Sequence, residues 1–232
     1  MPSPAQGGLL RVEGLVKHFR GIAAIAGLTL VLHEGESLGL AGGNGSGKTT
    51  LIDIITGFAG PERGRVWLGA QDVTGWPAHL IVHAGIARTF QTPRVALRLT
   101  AEQHLQAALL HRRLARKSEL REVARALELM NLTGVRRREA WALSAAQVRR
   151  LEIARALITG ARVLLLDEPF TSLGQDDLPG IVSALRRLRA DGLTMLVAAS
   201  GDALLQALCD RVAVMEAGTV SRGPRAAGLR HA

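Results

Sequence analysis

The chain has 232 residues, of which 47% are hydrophobic but only 3% aromatic, so we expect a large core of aliphatic side chains. This length suggests one large domain, or a core with an attached subdomain. The net charge of +9 fits nucleic acid, anionic lipid or a solvated basic face. No helix-turn-helix, zinc-finger or aromatic RNA-binding pattern occurs, so nucleic acid is not an expected partner.

Cysteine content and the terminal sequence indicate the compartment. Cys209 is the single cysteine, so no internal disulfide can form and a reducing compartment is expected. Residues 1–8 lack the basic segment of a secretory signal. No run reaches the roughly 18 apolar residues that a membrane span needs. We therefore expect a protein that is soluble by itself and cytoplasmic.

The first predicted elements are two antiparallel strands over residues 9–16 and 28–32, where apolar and polar residues partly alternate. Residues 17–21 form a predicted loop between them, and this loop carries Phe19. A phenyl ring there can stack on a purine base, or it can pack within the loop or the core. The residues alone leave both interpretations open.

A glycine-rich segment lies between a predicted strand at residues 37–41 and a predicted helix at residues 49–56. Its members are Gly42, Gly43, Asn44, Gly45, Ser46, Gly47, Lys48, Thr49 and Thr50. The spacing fits the phosphate-loop pattern, in which glycines let backbone N–H groups approach phosphate oxygens at a positive helix end. Lys48 is then expected to reach the β- and γ-phosphates, and the Thr49 hydroxyl to ligate Mg²⁺.

Shorter elements follow the phosphate loop. A strand is predicted over residues 65–68, a helix over residues 76–84, and a strand over residues 86–90 that ends at Gln91. An amide just past a strand end can hold a metal ion or an attacking water, or it can cap backbone groups. Without further context, the capping interpretation is favoured for Gln91.

Helical periodicity dominates residues 100–157. Helices are predicted over residues 101–114 and 118–130, and a third begins at Ser144, which has the character of an N-cap. The second helix carries a predicted apolar stripe, formed by Leu120, Val123, Ala124, Leu127 and Met130. We interpret this region as a small α-helical subdomain inserted into an α/β core of about residues 1–99 and 158–223.

Two carboxylates follow a run of apolar residues at 163–166, which predicts a strand buried on both faces. In a parallel sheet, the carboxyl end of this strand would lie beside the phosphate loop. Asp167 is then expected to bind Mg²⁺, and Glu168 to orient or deprotonate a water that attacks the γ-phosphate. The alternative is an Asp-Glu-Pro turn that merely closes the strand.

The last part of the chain alternates between a helix over residues 179–190 and strands over residues 192–199 and 210–215. Such alternation predicts a mostly parallel sheet in an α/β fold. Beyond residue 218 the chain is expected to fray, with residues 224–232 as a tail.

Taken together, these motifs resemble the ATP-binding subunit of an ABC transporter over about residues 10–223. The sequence at residues 86–94 and 151–157 is most similar to that of the branched-chain (hydrophobic) amino-acid importers. The resemblance implies a P-loop NTPase fold of the ABC type, α/β, with a mostly parallel sheet core, an antiparallel β-subdomain and an inserted α-helical subdomain. It further implies Mg-ATP as ligand, a second ATP-binding subunit and a polytopic membrane permease as partners, and a position on the cytoplasmic face of the inner membrane.

Several site residues gain a role through this resemblance. Phe19 matches the aromatic residue that stacks on adenine. Gln91 matches the Q-loop glutamine, which implies a role in catalysis and in metal binding. Lys48 is implied to be catalytic as well. Ser144 and Gln147 match the signature, which in the family faces the γ-phosphate held by the other subunit.

Three departures from the family pattern concern turnover. The signature has Ala145 and Ala146 where the family has two glycines, Ser200 stands at the place of the switch histidine, and Gly174 replaces the usual acidic or Asn residue of the D-loop. Two Cβ atoms would crowd the approach to the γ-phosphate, and Ser200 cannot carry a charge there. We therefore expect normal nucleotide binding but slow hydrolysis. The alternatives are a hydrolysis-deficient regulatory subunit and a soluble ABC ATPase not tied to transport.

Overall fold

The computed structural model describes residues 8–225 of the chain. The strands within this range are β1 (Leu10–Phe19), β2 (Ile22–Leu32), β3 (Ser37–Ala41), β4 (Arg63–Leu68), β5 (Gln71–Asp72), β6 (Ile86–Arg88), β7 (Val163–Asp167), β8 (Thr194–Ala199), β9 (Arg211–Glu216) and β10 (Thr219–Arg225). The α-helices are α1 (Lys48–Ile55), α2 (Ala78–Ala84), α3 (Ala101–Leu109), α4 (Arg116–Leu129), α5 (Ala145–Ile158), α6 (Leu178–Ala190) and α7 (Ala203–Leu208). Short 3₁₀ turns occur at Leu110–Arg112, Thr133–Val135 and Ala140–Ala142.

The larger sheet has the strand order β10-β9-β3-β8-β7-β6. All neighbouring strands in it are parallel except β10, which pairs antiparallel with β9 at the edge. Every residue of β3, β7 and β8 is buried, as expected of parallel strands that are covered on both faces. Because these strands run parallel, their carboxyl ends lie at one edge of the sheet.

Two apolar cores cover the two faces of this sheet. The first joins it to α1 and to the smaller, antiparallel sheet of order β2-β1-β4-β5, with Leu15, Leu51 and Leu165 among its members. The second core joins the sheet to the helices, with Leu127 and Leu164 among its members. The predicted fold class is confirmed: a mostly parallel α/β core, an antiparallel sheet, and helices α3 to α5 between β6 and β7.

Some predicted element boundaries were wrong. β1 continues to Phe19, so this residue ends a strand instead of lying in a loop, and the turn is reduced to Arg20 and Gly21, both with positive φ. β6 already ends at Arg88. The chain does not fray after residue 218, because it turns back at Gly218 and pairs with β9 as β10. Residues 226–232 of the predicted tail lie outside the described residues.

The predicted stripe on α4 was also partly wrong. Leu120 is 43% exposed and Ala124 is exposed, whereas Ala126 is buried. The buried face follows the spacing of Val123, Ala126, Leu127 and Met130, so the first turn of the helix extends beyond the core. The subdomain boundaries near residues 99 and 157 stay a prediction.

Candidate active site

Three neighbouring strands deliver the candidate site to one edge of the larger sheet. β3 leads into the phosphate loop, β7 ends in the two carboxylates, and β8 lies between them and leads to Ser200. The N–H of Gly42 donates to the carbonyl of Ala199 at 3.2 Å, and the N–H of Glu168 donates to the carbonyl of Ala198 at 2.9 Å. The end of β8 therefore anchors both segments.

The phosphate loop has no room for a Cβ atom at two positions where its pattern requires glycine. A Cβ on Gly42 would lie 2.5 Å from the carbonyl oxygen of Met215, and a Cβ on Gly47, where φ is 108°, would lie 2.4 Å from that of Ala24. Ser46 Oγ is buried and is one of the few such side-chain atoms among the described residues that lack a hydrogen-bond partner. A glycine cradle with an unpartnered hydroxyl fits an anionic ligand.

Lys48 is the first residue of α1 and lies between the loop and the acidic strand end. Its Nζ donates to the carbonyls of Gly42 at 2.6 Å and Gly43 at 3.1 Å, and lies 3.4 Å from Oε1 of Glu168. Both charged side chains are largely buried, with 6% and 9% exposed. The ammonium group is thus held by acceptors that a bound phosphate could replace.

The predicted metal ligands are also adjacent, although 118 residues separate them in sequence. The Thr49 hydroxyl donates to Oδ1 of Asp167 at 3.2 Å. Asp167 is fully buried, and burial raises its pKa, while Arg88 and the Thr49 hydroxyl act in the opposite direction. Residues 8–225 hold no group of three His, Cys, Asp or Glu side chains that could bind a metal. One carboxylate and one hydroxyl nevertheless suit Mg²⁺, which is usually bound together with phosphates and waters.

Glu168 receives hydrogen bonds from several directions. Ser200 donates its hydroxyl to Oε1 at 2.6 Å and its backbone N–H to Oε2 at 3.2 Å, and Thr171 donates its hydroxyl to Oε2 at 3.2 Å. The backbone of Glu168 has a φ of 49°, in the left-handed region that favours glycine. Ser200 is therefore more than a lost charge, although no local sequence signal predicts this bond.

A cavity of about 500 Å³ opens over these groups and gathers most of the predicted binding residues. Its lining comprises Phe19, Ile22, Ala23, Ala24, Asn44, Gly45, Ser46, Gly47, Lys48, Thr49, Thr50, Gln91 and Glu168. Phe19 is half exposed and accessible to a ligand, and Gln91 is exposed on the same cavity. The volume lies within the range usual for small-molecule sites.

The predicted signature residues lie outside this cavity, at the N-terminus of α5. Ser144 is the N-cap of this helix and forms a capping box with Gln147, with bonds of 3.3 and 3.0 Å. Ala145 is exposed, whereas Ala146 is buried, with 1% exposed. The expectation that both methyl groups would crowd a γ-phosphate is wrong for Ala146, because its methyl group packs inside the protein. Gly174 is exposed in the loop after Glu168, also outside the cavity lining.

A buried ion pair on α5, which was not predicted from the sequence, holds the segment around Gln91. Arg149 donates to the carbonyls of Phe90 at 2.7 Å and Gln91 at 2.8 Å, and Glu152 accepts the N–H of Phe90 at 2.9 Å. The two side chains meet at 2.9 Å and are 3% and 5% exposed. Burial raises the pKa of Glu152, against the effect of these bonds. Opposite charges three residues apart on a buried helix face were the available signal.

A second cavity of about 450 Å³ forms a groove that Phe90 helps to line. Phe58, His79, Phe90, His111 and Arg155 are among its lining residues. The groove thus lies between α2 and β6 on one side and the helices α3 and α5 on the other.

None of the helices in the described part of the chain is both long and apolar enough to cross a membrane.

Comparisons with known proteins agree with this geometry. The sequence model described as ABC transporter matches residues 25–171. The chain is 34% identical to the high-affinity branched-chain amino acid transport ATP-binding protein BraF of Pseudomonas aeruginosa, over 90% of this chain and 89% of BraF. The crystal structure of MJ1267 in its ADP conformation, an ATP-binding cassette of an ABC transporter, is similar with a TM-score of 0.82 and 30% identity, covering 93% of this chain and 91% of that one. The fold is also that of the dimeric cassette MJ0796 bound to ADP and Pi, with a TM-score of 0.84 and 22% identity, covering 95% of this chain and 100% of that one.

Proposed function

Since the chain belongs to the ABC transporter family, we propose that it binds Mg-ATP and couples slow hydrolysis to the uptake of branched-chain or related hydrophobic amino acids. The observation that carries the nucleotide part is the contact of Lys48 with Glu168 and of Thr49 with the buried Asp167, at a cavity that Lys48, Thr49 and Glu168 line. The transport part is supported by the similarity to BraF.

The predicted site residues in and beneath the cavity have distinct tasks in this proposal. Lys48 exchanges its loop carbonyls for the β- and γ-phosphates, and Phe19 stacks on the adenine. Thr49 and Asp167, with Gln91, hold Mg²⁺, which when bound neutralises the charge that develops on the phosphates. Glu168 orients or deprotonates the attacking water.

The slow turnover is supported by two positions. The methyl group of Ala145 is exposed at the N-terminus of α5, where a second subunit's γ-phosphate would approach. Ser200 replaces a residue that can carry a charge, although it still donates a hydrogen bond to Glu168. Nucleotide binding depends on neither position, so binding and hydrolysis are separable in this chain.

The partners in this proposal are a second ATP-binding subunit and a membrane permease, with the chain on the cytoplasmic face of the membrane. The second subunit would face the exposed end of α5, because Ser144 and Gln147 do not reach the cavity of their own chain. The permease would occupy the groove beside Phe90, which the ion pair of Arg149 and Glu152 ties to Gln91.

Calorimetry and turnover measurements test the proposal. Mg-ATP should release or absorb heat on binding to the wild type but not to Lys48→Ala, and turnover should stay below the roughly 1–100 s⁻¹ of competent phosphoryl-transfer enzymes. The triple change Ala145→Gly, Ala146→Gly and Ser200→His should raise the rate. No binding heat in the wild type would refute the proposal, and fast wild-type turnover or no gain in the triple variant would refute its slow-turnover part. Binding without any hydrolysis, even with the permease, would identify the regulatory subunit.

A further inference from the structure

We propose that Arg88 is a positioning residue that balances the negative charge of Asp167 when no metal ion is bound. Its attraction to that carboxylate weakens when Mg²⁺ binds. The resulting change in the position of Arg88 alters the groove beside Phe90. This inference rests on the proposed binding of Mg-ATP, and no sequence motif predicts a role for Arg88.

The contacts of Arg88 place its charge on the metal-binding carboxylate. Arg88 is the last residue of β6, and its side chain is only 6% exposed. One guanidinium nitrogen lies 3.3 Å from Oδ2 of Asp167, and the other donates to Asp53 and, at 3.3 Å, to the hydroxyl of Thr56. Arg88 is therefore a buried cation shared between two carboxylates.

The two oxygens of Asp167 face different partners. Oδ1 accepts from Thr49, beside the phosphate loop, whereas Oδ2 faces Arg88. A fully buried carboxylate needs a nearby opposite charge, and the guanidinium supplies it in this structure. A divalent cation on the Thr49 side would compete for the same negative charge, so the attraction between Arg88 and Asp167 must weaken when it binds.

The same guanidinium touches the groove. Its central carbon lies 4.5 Å from the ring centroid of Phe90 and 5.4 Å from that of Phe58, and the two rings pack edge to face at 5.5 Å. Both rings and Arg88 itself line the groove, and Phe90 is followed by Gln91. A change in the position of Arg88 therefore alters the cation–π contacts of the groove wall.

The first test measures how much Mg²⁺ strengthens ATP binding, as the ratio of the dissociation constant in EDTA to that in Mg²⁺, at pH 8. Arg88→Met should lower the thermal stability of the nucleotide-free protein, because Asp167 loses its partner, yet raise this ratio by about threefold or more, because the competing charge is gone. A merely structural role would not raise it. Arg65→Met is the matched control, since Arg65 also pairs with a carboxylate, Asp72 at 2.9 Å, and lies 6.0 Å from the ring centroid of Trp67, away from the cavity.

The second test follows the groove with an environment-sensitive dye on His79→Cys. His79 is exposed on the groove, whereas Cys209 is buried and burial raises its pKa to about 11, so the dye should label only the new site. Adding Mg²⁺ to the ATP-bound protein should shift the emission in the parent and not in the Arg88→Met background. Arg88→Lys, which keeps the charge without the planar fork, should also lose the shift.

The outcomes separate the two proposals. No Mg-ATP binding by the wild type refutes the proposed function itself. Binding with an unchanged or lower ratio in Arg88→Met refutes only the counter-cation role, and a raised ratio without a dye shift in the parent refutes the link to the groove. If Arg88→Met does not fold, Arg88→Lys decides: because it keeps the charge, its ratio should stay near that of the wild type, and an unchanged dye shift overturns the inference.

Discussion

At Glu168, a left-handed backbone and two hydroxyl groups together fix the direction of one carboxylate. Ser200 and Thr171 donate to its two oxygens, and Nζ of Lys48 lies 3.4 Å from Oε1. A carboxylate that accepts several hydrogen bonds is well oriented. The serine after β8 thus supplies orientation, though not the charge that a histidine could carry.

Replacing Ser200 by Ala should slow hydrolysis without weakening nucleotide binding. The change removes a 2.6 Å hydrogen bond to a charged group, worth roughly 1.5–3 kcal/mol, so we expect kcat to fall by about tenfold to a hundredfold. Single-turnover assays with Mg-ATP, beside calorimetric affinities, check this, and Ser200→Thr should keep most of the rate. Equal rates for Ser200→Ala and the wild type would show that this bond does not position Glu168.

Replacing Asp167 by Asn should stabilise the nucleotide-free protein at neutral pH, because the cost of burying a carboxylate is removed while Arg88 keeps Asp53 as its charged partner. Burial raises the pKa of Asp167 above its usual value of 3.8, so the folded state loses stability as pH rises through the raised pKa and the buried group becomes charged. Below pH 3.8 the carboxyl is neutral in both states, so the advantage of Asn should disappear. Thermal unfolding between about pH 3 and pH 8 measures this difference, and an advantage that grows toward low pH would contradict it.

At the scale of an element, α5 combines three structural features, and its sequence alone predicts only the first of them. Its N-terminus is capped by Ser144, its first two residues point in different directions, and its buried pair of Arg149 and Glu152 binds the segment around Gln91. These hydrogen bonds fix the backbone at Phe90 and Gln91 to α5.

The two alanines of α5 should behave differently when each is changed to glycine. Ala145→Gly should raise turnover, because it removes the exposed methyl group from the helix end. Ala146→Gly should leave turnover unchanged and cost about 1 kcal/mol of stability, because it adds backbone freedom and removes a buried methyl group. Turnover assays and urea unfolding of both variants check this. A rate gain from Ala146→Gly alone would contradict the inward direction of that side chain.

At the scale of the whole molecule, the parallel sheet sets the positions of the site residues. β3, β8 and β7 are neighbours in the sheet and end side by side. The strand order is therefore sufficient to bring the phosphate loop, Ser200 and the carboxylates together. The exposed end of α5 lies outside the cavity of its own chain. The complete site in our proposal therefore requires a second subunit.

Light scattering with Mg-ATP should show how far Ala145 limits that association. We expect the nucleotide-free wild type to be monomeric, and we expect Mg-ATP to produce a larger dimer fraction in Ala145→Gly than in the wild type, because the helix end can approach the γ-phosphate more closely. Lys48→Ala should stay monomeric under both conditions. A larger dimer fraction in the wild type than in Ala145→Gly would contradict the crowding argument.

The sequence by itself determined the phosphate loop, the acidic end of β7, the helix cap at Ser144 and the fold class, because each depends on a contiguous pattern with a local physical cause. A loop that wraps a phosphate needs glycines at fixed positions, and a doubly covered strand must be apolar throughout. Phe19 and Gln91 were located by pattern as well, although their roles stay predictions.

Tertiary structure alone decided how these pieces are tied together. Arg88 meets Asp167 across 79 residues, Arg149 meets Phe90 across 59, and Ser200 meets Glu168 across 32. It also decided that Ala146 points inward and that β10 pairs beyond Gly218. Such contacts depend on which strand ends and helix faces become neighbours in space, and residues distant along a chain carry no local signal of that.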